Sequence, residues 1–253
     1  MEIIVLGTGT SQGIPVIACQ CAVCLSSDPY DSRLRTSLLI REAGTTMCID
    51  AGPDFRQQML SNAVNKLDAV LITHGHKDHT GGLDDVRAYN WVHQKPMDIY
   101  ARESVTEIVK REFPYAFGEN KYPGAPQIIL RKIPYEDFTI GPVRFIPIEA
   151  MHGKLPVLGF RTGGFSYLTD ASYIESRELD KMKGSKVVII NALRHQKHHS
   201  HFSLGEAVDI IHYLQPERAY LTHISHQMGL HREVQQGLPE NIFLGYDGLR
   251  INV

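Results

Sequence analysis

Three imidazoles and a carboxylate fall within six residues in the run His74-Gly75-His76-Lys77-Asp78-His79, directly behind the apolar, strand-like segment Leu67 to Thr73. Imidazole nitrogen and carboxylate oxygen are ligands for zinc, manganese or iron. On an extended backbone side chains alternate, which would send His74, His76 and Asp78 to one face. A turn beginning at Asp78 would then swing His79 beside them. A bare His-x-His pair often arises on a solvated turn, so the weight lies on the full string at a strand terminus. Four such donors, joined by others from farther along, exceed what one tetrahedral ion needs. The expectation is a binuclear metal site.

Further donors stand where other strand-like stretches end. His152 follows Ile148-Glu149-Ala150-Met151, Asp170 closes Phe165-Ser166-Tyr167-Leu168-Thr169, and His223 closes Ala219-Tyr220-Leu221-Thr222. Each alone is ambiguous, because a strand-end aspartate is usually a turn former and a strand-end histidine is often just hydrogen-bonded. A second metal motif is built from sulfur. Of four cysteines, three form Cys19-Gln20-Cys21-Ala22-Val23-Cys24. Disulfides between residues this close are strained, whereas thiolates in a reducing compartment are soft ligands for zinc. A fourth ligand must come from elsewhere. Cys48, amid strand neighbours, is expected to sit inertly in the core.

The elements that must position these groups follow from hydrophobic patterning. Apolar, β-branched stretches run over 3–6, 37–40, 46–49, 69–72, 128–130, 143–148, 187–190 and 219–221, and most end in Gly, Asp, His or Pro. Helices are predicted over 53–61, 104–113, 203–214 and 230–236. The third opens with Ser203-Leu204-Gly205-Glu206, a capping box, and stops before Pro216. Strands precede helices in each half, an order that predicts an α/β fold of two stacked β-sheets with helices outside, a four-layer αβ/βα sandwich. Residues from about Asn90 to Tyr135, rich in Pro, Tyr and charge, are expected to supply substrate-facing loops. The glycines of Gly7-Thr8-Gly9-Thr10-Ser11-Gln12-Gly13 lack the dinucleotide-binding spacing, so a tight turn near the metal centre is expected there.

Length and composition bound the rest. The 253 residues, 43% of them hydrophobic, suffice for a single domain over 1–253. A formal charge of -2, from 26 Lys+Arg and 28 Asp+Glu, gives no global positive field for a nucleic-acid backbone. No basic leader or membrane-length apolar run is present, so a cytoplasmic location and no membrane partner are expected.

With these anchors in place the chain resembles the metallo-β-lactamase superfamily. The resemblance implies that His74, His76 and His152 hold one metal, Asp78, His79 and His223 a second, and that Asp170 bridges them. Asp50, in Cys48-Ile49-Asp50-Ala51-Gly52, matches the family's upstream aspartate, which orients a ligand without binding metal. Histidine rather than glutamate at position 76 implies hydrolysis rather than di-iron redox chemistry. Gly7-Thr8-Gly9-Thr10, the cysteine cluster and Thr222-His223-Ile224-Ser225-His226-Gln227 look more narrowly like the PhnP-type phosphodiesterases, relatives of ribonuclease Z. That likeness nominates Cys19, Cys21, Cys24 and His226 as a closed structural zinc site that staples a loop near 19–24 to the carboxy-terminal half. It also places His201 where a leaving oxygen is assisted.

The implied activity is hydrolysis of a small cyclic or linear phosphodiester by hydroxide made on two divalent ions, zinc or manganese, with Asp78 orienting it. Arg194 or Lys154 would neutralise phosphate charge, and His195, His198 and His199 would be surface or substrate-rim residues. The same hydroxide attacks carbonyl carbon, which leaves a lactone or thioester hydrolase as the alternative. A non-catalytic metal-stabilised scaffold is the reading from another class. A nucleic-acid partner is disfavoured, and a homodimer is one expectation for assembly.

Overall fold

The computed structural model describes residues 1–118 and 122–253. One sheet is formed by β1 (Glu2–Gly7), β2 (Ser37–Glu42), β3 (Thr45–Ile49), β4 (Ala69–Leu71), β5 (Met97–Ala101), β6 (Ile128–Lys132) and, at its other end, β15 (Arg250–Asn252). Its spatial order is β15-β1-β2-β3-β4-β5-β6. The other comprises β7 (Phe138–Ile140), β8 (Val143–His152), β9 (Leu155–Thr162), β10 (Phe165–Leu168), β11 (Tyr173–Ile174), β12 (Val187–Asn191), β13 (Arg218–Thr222) and β14 (Ile242–Leu244). It runs β11-β8-β9-β10-β12-β13-β14, with β7 paired to β8. Helices α1 (Phe55–Ser61), α2 (Lys77–Thr80), α3 (Arg87–His93), α4 (Glu103–Glu112), α5 (Pro114–Phe117), α6 (Ser176–Asp180), α7 (Leu204–Leu214) and α8 (His231–Gln236), with short 3-10 turns at Pro29–Asp31, Leu83–Val86 and His226–Met228, complete the described elements.

Strand alternation explains why both faces of each sheet are buried. In β1, Ile3 and Val5 point between the sheets, where they meet Met47, Ile49, Phe160, Tyr167 and Ile189. Ile4 and Leu6 point the other way, into a core closed by Phe55 and Met59 of α1 and Val105 and Val109 of α4. In β12, Val187 and Ile189 face the inter-sheet core, while Val188 and Ile190 pack against Ala207 and Ile211 of α7. Each large aliphatic side chain so buried contributes about 1.5–3 kcal/mol. Both halves of the predicted capping box form at α7: the Ser203 hydroxyl accepts from the Glu206 N–H, and the Glu206 carboxylate accepts from the Ser203 N–H. The expected four-layer αβ/βα arrangement, two stacked sheets with helices outside, is the one observed.

The stretch from Asn90 to Tyr135 is a correction. Apart from residues 119–121, which lie outside the described residues, it is mostly regular, holding β5, α4, α5 and β6. Met97, Ile99 and Ala101 alternate inward along β5, which pairs in parallel with β4 and β6. Pro114 begins α5, a position that tolerates its missing N–H. No helix among the described residues is long and apolar enough to cross a membrane.

Candidate metal centre

The first motif is not held by strand alternation. β4 ends at Leu71, the chain leaves extended register, and α2 begins at Lys77. Asp78 and His79 therefore ride on a helical turn, and the motif divides between two donor groups: His74, His76 and His152 in one, and Asp78, His79, Asp170 and His223 in the other. Within each group, ligand atoms lie within 4.8 Å of one another.

Asp170 reaches both. Its Oδ2 is 3.7 Å from His74 Nε2 and 3.3 Å from His79 Nε2, and its Oδ1 is 2.8 Å from His223 Nδ1. His79 Nε2 also lies 3.3 Å from Asp78 Oδ2, and His74 Nε2 lies 3.1 Å from His76 Nδ1. The backbone is bent to achieve this. Asp50, Asp170 and His223 have φ of 65°, 56° and 54°, a left-handed conformation costing a non-glycine residue about 1–2 kcal/mol. All three lie just past strand ends, so the bend falls where the chain leaves the sheet. Gly52 permits the close approach of this loop to α2, since a Cβ there would collide with the Asp78 carbonyl. The Ala51 N–H donates to the His79 carbonyl at 2.8 Å.

Outer hydrogen bonds fix which ring nitrogen each histidine offers. His79 Nδ1–H donates to Asp50 Oδ2 at 2.7 Å, and Asp50 also accepts from the Thr73 N–H and hydroxyl. With its proton committed to Asp50, the Thr73 oxygen accepts from His74 Nδ1–H at 3.0 Å. His152 Nδ1–H donates to the Ser200 carbonyl at 2.6 Å. In all three rings Nε2 is left as a lone-pair donor, the form a metal requires. Thr10, from the early glycine turn, lies 3.2 Å by its hydroxyl from His223 Nε2.

The electrostatics fit a cation. Burial alone would depress His79, yet the carboxylates of Asp50 and Asp170 raise it well above the ordinary histidine value. Burial would raise Asp170, yet His223 and His79 hold it well below the carboxylate range. His79 Nε2 and His223 Nδ1 are nonetheless buried without a hydrogen-bond partner. Both nitrogens face carboxylate oxygens, a contact that calls for positive charge: in His79 a second ring proton meets that need when no metal is bound, and a divalent ion meets it when one is. This donor set fits two such ions.

The three cysteines of the sulfur motif gather around one histidine. His226 Nδ1 lies 3.2, 3.4 and 3.5 Å from the sulfurs of Cys19, Cys21 and Cys24. The Cys24 N–H draws the Cys21 thiol down to about 6, while burial pushes Cys24 up to about 11, so one sulfur of the trio ionises readily. This N/S set suits zinc with no position open. Cys48 is fully buried, and burial pushes its thiol up to about 12. A network that sequence reasoning missed fastens this region: buried Arg33 donates to the Thr8 hydroxyl and the Gly245 carbonyl, and Asp247 accepts from Thr8 and the Leu34 N–H.

His201 is buried beside the donors, its ring 4.5 Å from that of His152 and 4.8 Å from that of His223. Burial, then His223, lower it to about 3, so it is neutral at physiological pH, and its Nδ1 has no partner. Arg194 is partly engaged, donating to Gln227 Oε1 at 2.5 Å. Lys154 is exposed in the turn between β8 and β9. His195 is tied to the Met228 carbonyl at 2.9 Å, whereas the His198 ring lies 5.3 Å from that of His201.

Comparison with known proteins identifies the family. The model of the beta-lactamase superfamily domain matches residues 45–224. A crystal structure described as a new diphosphatase from the PhnP family superposes with a TM-score of 0.93 at 37% identity, covering 100% of this chain and 97% of that one. An octanoyltransferase of Porphyromonas gingivalis is 42% identical over 252 residues, 98% of this chain and 51% of the relative. The chain thus spans about half the length of that protein. Zinc-bound PqqB from Methylobacterium extorquens shares the fold at a TM-score of 0.83 and 16% identity, covering both chains fully. The chain therefore belongs to the beta-lactamase superfamily, with the metallo-β-lactamase fold, and within it to the PhnP-type branch.

Proposed function

We propose that this protein is a metal-dependent phosphodiesterase acting on small cyclic or linear phosphodiesters. When bound, two divalent cations supply Lewis acidity toward a phosphoryl oxygen and lower the pKa of a water. The protein's part is to hold and orient. Asp170, 2% exposed, spans the two donor groups, while the Asp78 side chain, 12% exposed, is the carboxylate open enough to orient an attacking water. His201, neutral and buried, offers a hydrogen bond to the departing oxygen, where negative charge develops. The observation that carries the hydrolytic reading is the single Asp170 carboxylate facing donor atoms of both groups. The phosphoryl specificity draws support from the 37% identical diphosphatase, which is matched along the whole chain.

A second reading has a specific observation behind it. The relative named octanoyltransferase is 42% identical, which favours hydrolysis of an acyl thioester or lactone at the same centre. Because the chain matches only half of that relative, the name can equally describe its unmatched half. The test is zinc- or manganese-reconstituted protein assayed with bis(p-nitrophenyl) phosphate, a diphosphate ester, a lactone and an octanoyl thioester. Phosphoryl substrates turning over with metal dependence, and carbonyl substrates not, is the expected result; the reverse pattern would replace the first reading by the second.

A further inference from the structure

The glycine turn that follows β1 has no part in the proposed reaction, yet it ends against a metal donor. Both backbone groups of Gly9 are committed: its N–H donates to the Leu34 carbonyl at 2.8 Å, and its carbonyl accepts from the Thr36 N–H at 3.0 Å and the Thr36 hydroxyl at 2.8 Å. A Cβ at Gly9 would press on the Arg33 and Leu34 carbonyls at 2.9 and 3.0 Å, so glycine is what lets the turn sit this close. On its other side the turn is clamped to Ile224, the residue after His223. The Ile224 N–H donates to the Thr8 carbonyl at 2.8 Å, and the Thr10 N–H donates to the Ile224 carbonyl at 3.0 Å. Thr10 and His223, 213 residues apart in the chain, are thereby held together by backbone on both sides.

His223 is turned the opposite way from three of its neighbours. His74, His79 and His152 commit Nδ1–H to an oxygen and keep Nε2 for a metal. In His223 it is Nδ1 that lies 2.8 Å from Asp170 Oδ1, and Nε2 that lies 3.2 Å from the Thr10 hydroxyl. The approach to Asp170 is short but lacks the direction of a hydrogen bond, for Nδ1 is buried without a hydrogen-bond partner. Close approach without a directed hydrogen is the relation between two ligands of one ion. With the ion in place Nδ1 carries a lone pair and Nε2 the ring proton, and the Thr10 oxygen is the acceptor beside it. We propose that Thr10 is a positioning residue of the second metal position: its hydroxyl oxygen accepts from His223 Nε2–H and fixes the ring in the tautomer that presents Nδ1 beside Asp170. Without that acceptor the neutral ring can carry its proton on Nδ1, where no metal can bind. The inference concerns metal binding alone and is the same for a phosphoryl or a carbonyl substrate.

Two measurements test it. Long-range proton–nitrogen NMR of zinc-loaded wild type with isotope-labelled histidines reports which ring nitrogen of His223 carries hydrogen. Hydrogen on Nε2 is the expected result; hydrogen on Nδ1 would overturn the proposal, and this measurement needs no variant to fold. The second is zinc affinity by chelator competition in wild type, Thr10→Val and Thr10→Ser. Valine keeps the shape and removes the acceptor, so affinity at one catalytic position is expected to fall about tenfold or more, whereas serine restores an oxygen and should stay within about threefold of wild type. The cysteine cluster should keep its zinc in both variants, which reports an intact fold around the turn. A Thr10→Val affinity within about twofold of wild type, or a Thr10→Ser variant as impaired as Thr10→Val, would overturn the assignment.

Discussion

Asp50→Asn tests whether the centre is tuned from outside its ligands. Asp50 is fully buried and accepts from His79 Nδ1–H at 2.7 Å, from the Thr73 N–H at 2.8 Å and from the Thr73 hydroxyl at 2.8 Å. Asparagine has nearly the same shape, and its oxygen can keep the Thr73 N–H. Its amide then faces His79 Nδ1 with a second donor. The imidazole can relieve this only by moving its proton to Nε2, the atom 3.3 Å from both Asp78 and Asp170. A protonated Nε2 cannot ligate a metal. Loss of such an outer partner costs about 10–100-fold in metal affinity, or about 1.4–2.7 kcal/mol, and the tautomer change places this case at the upper end. The assay is competition with a chromophoric chelator followed by metal counting. The variant should lose affinity at one catalytic position while the cysteine cluster keeps its equivalent of zinc as an internal control. Wild-type affinity at every position would refute the tautomer argument.

Other perturbations test the remaining parts of the site. His201→Ala should lower turnover about 10²-fold or more with metal content intact, whereas Asp170→Ala should lose metal as measured by elemental analysis. Cys21→Ser should remove one zinc equivalent and lower the melting temperature by roughly 5–10 °C, at about 2–4 °C per kcal/mol, while the catalytic pair remains bound. Because the Cys21 thiol is depressed to about 6, its contribution to the metal-free fold is present at high pH and lost as pH falls through about 6. Zinc retention, followed by dialysis, should fall in that same direction. Asp247→Ala leaves buried Arg33 with Asp31 as its remaining nearby carboxylate and removes the acceptor of the Leu34 N–H and of the Thr8 hydroxyl, which should cost about 3 kcal/mol in urea denaturation.

The donor set was legible because metal chemistry restricts residue type, and His74, His152, Asp170 and His223 stand at or just beyond the ends of apolar stretches. What sequence periodicity could not supply was the path between them. β4 stops at Leu71, so the motif is shaped by a loop and a helical turn rather than by alternation. Left-handed backbone at Asp50, Asp170 and His223 is a tertiary outcome that no local pattern encodes. Thr73 and Ser200 carry no motif of their own and gain their roles only by what they touch. The same holds for Arg33 and Asp247, far apart in the chain and joined through Thr8. Proline and charge in the stretch from Asn90 to Tyr135 obscured β5, whose burial depends on strands on either side of it.

The central claim is that one buried carboxylate joins two sets of donors into a two-ion site. Anomalous diffraction from crystals of metal-loaded protein, recorded at the zinc and manganese edges, measures this directly. Two peaks are expected flanking Asp170, one toward His74, His76 and His152 and one toward Asp78, His79 and His223, with a third, zinc-only peak among Cys19, Cys21, Cys24 and His226. A single peak beside Asp170, or none, would contradict it.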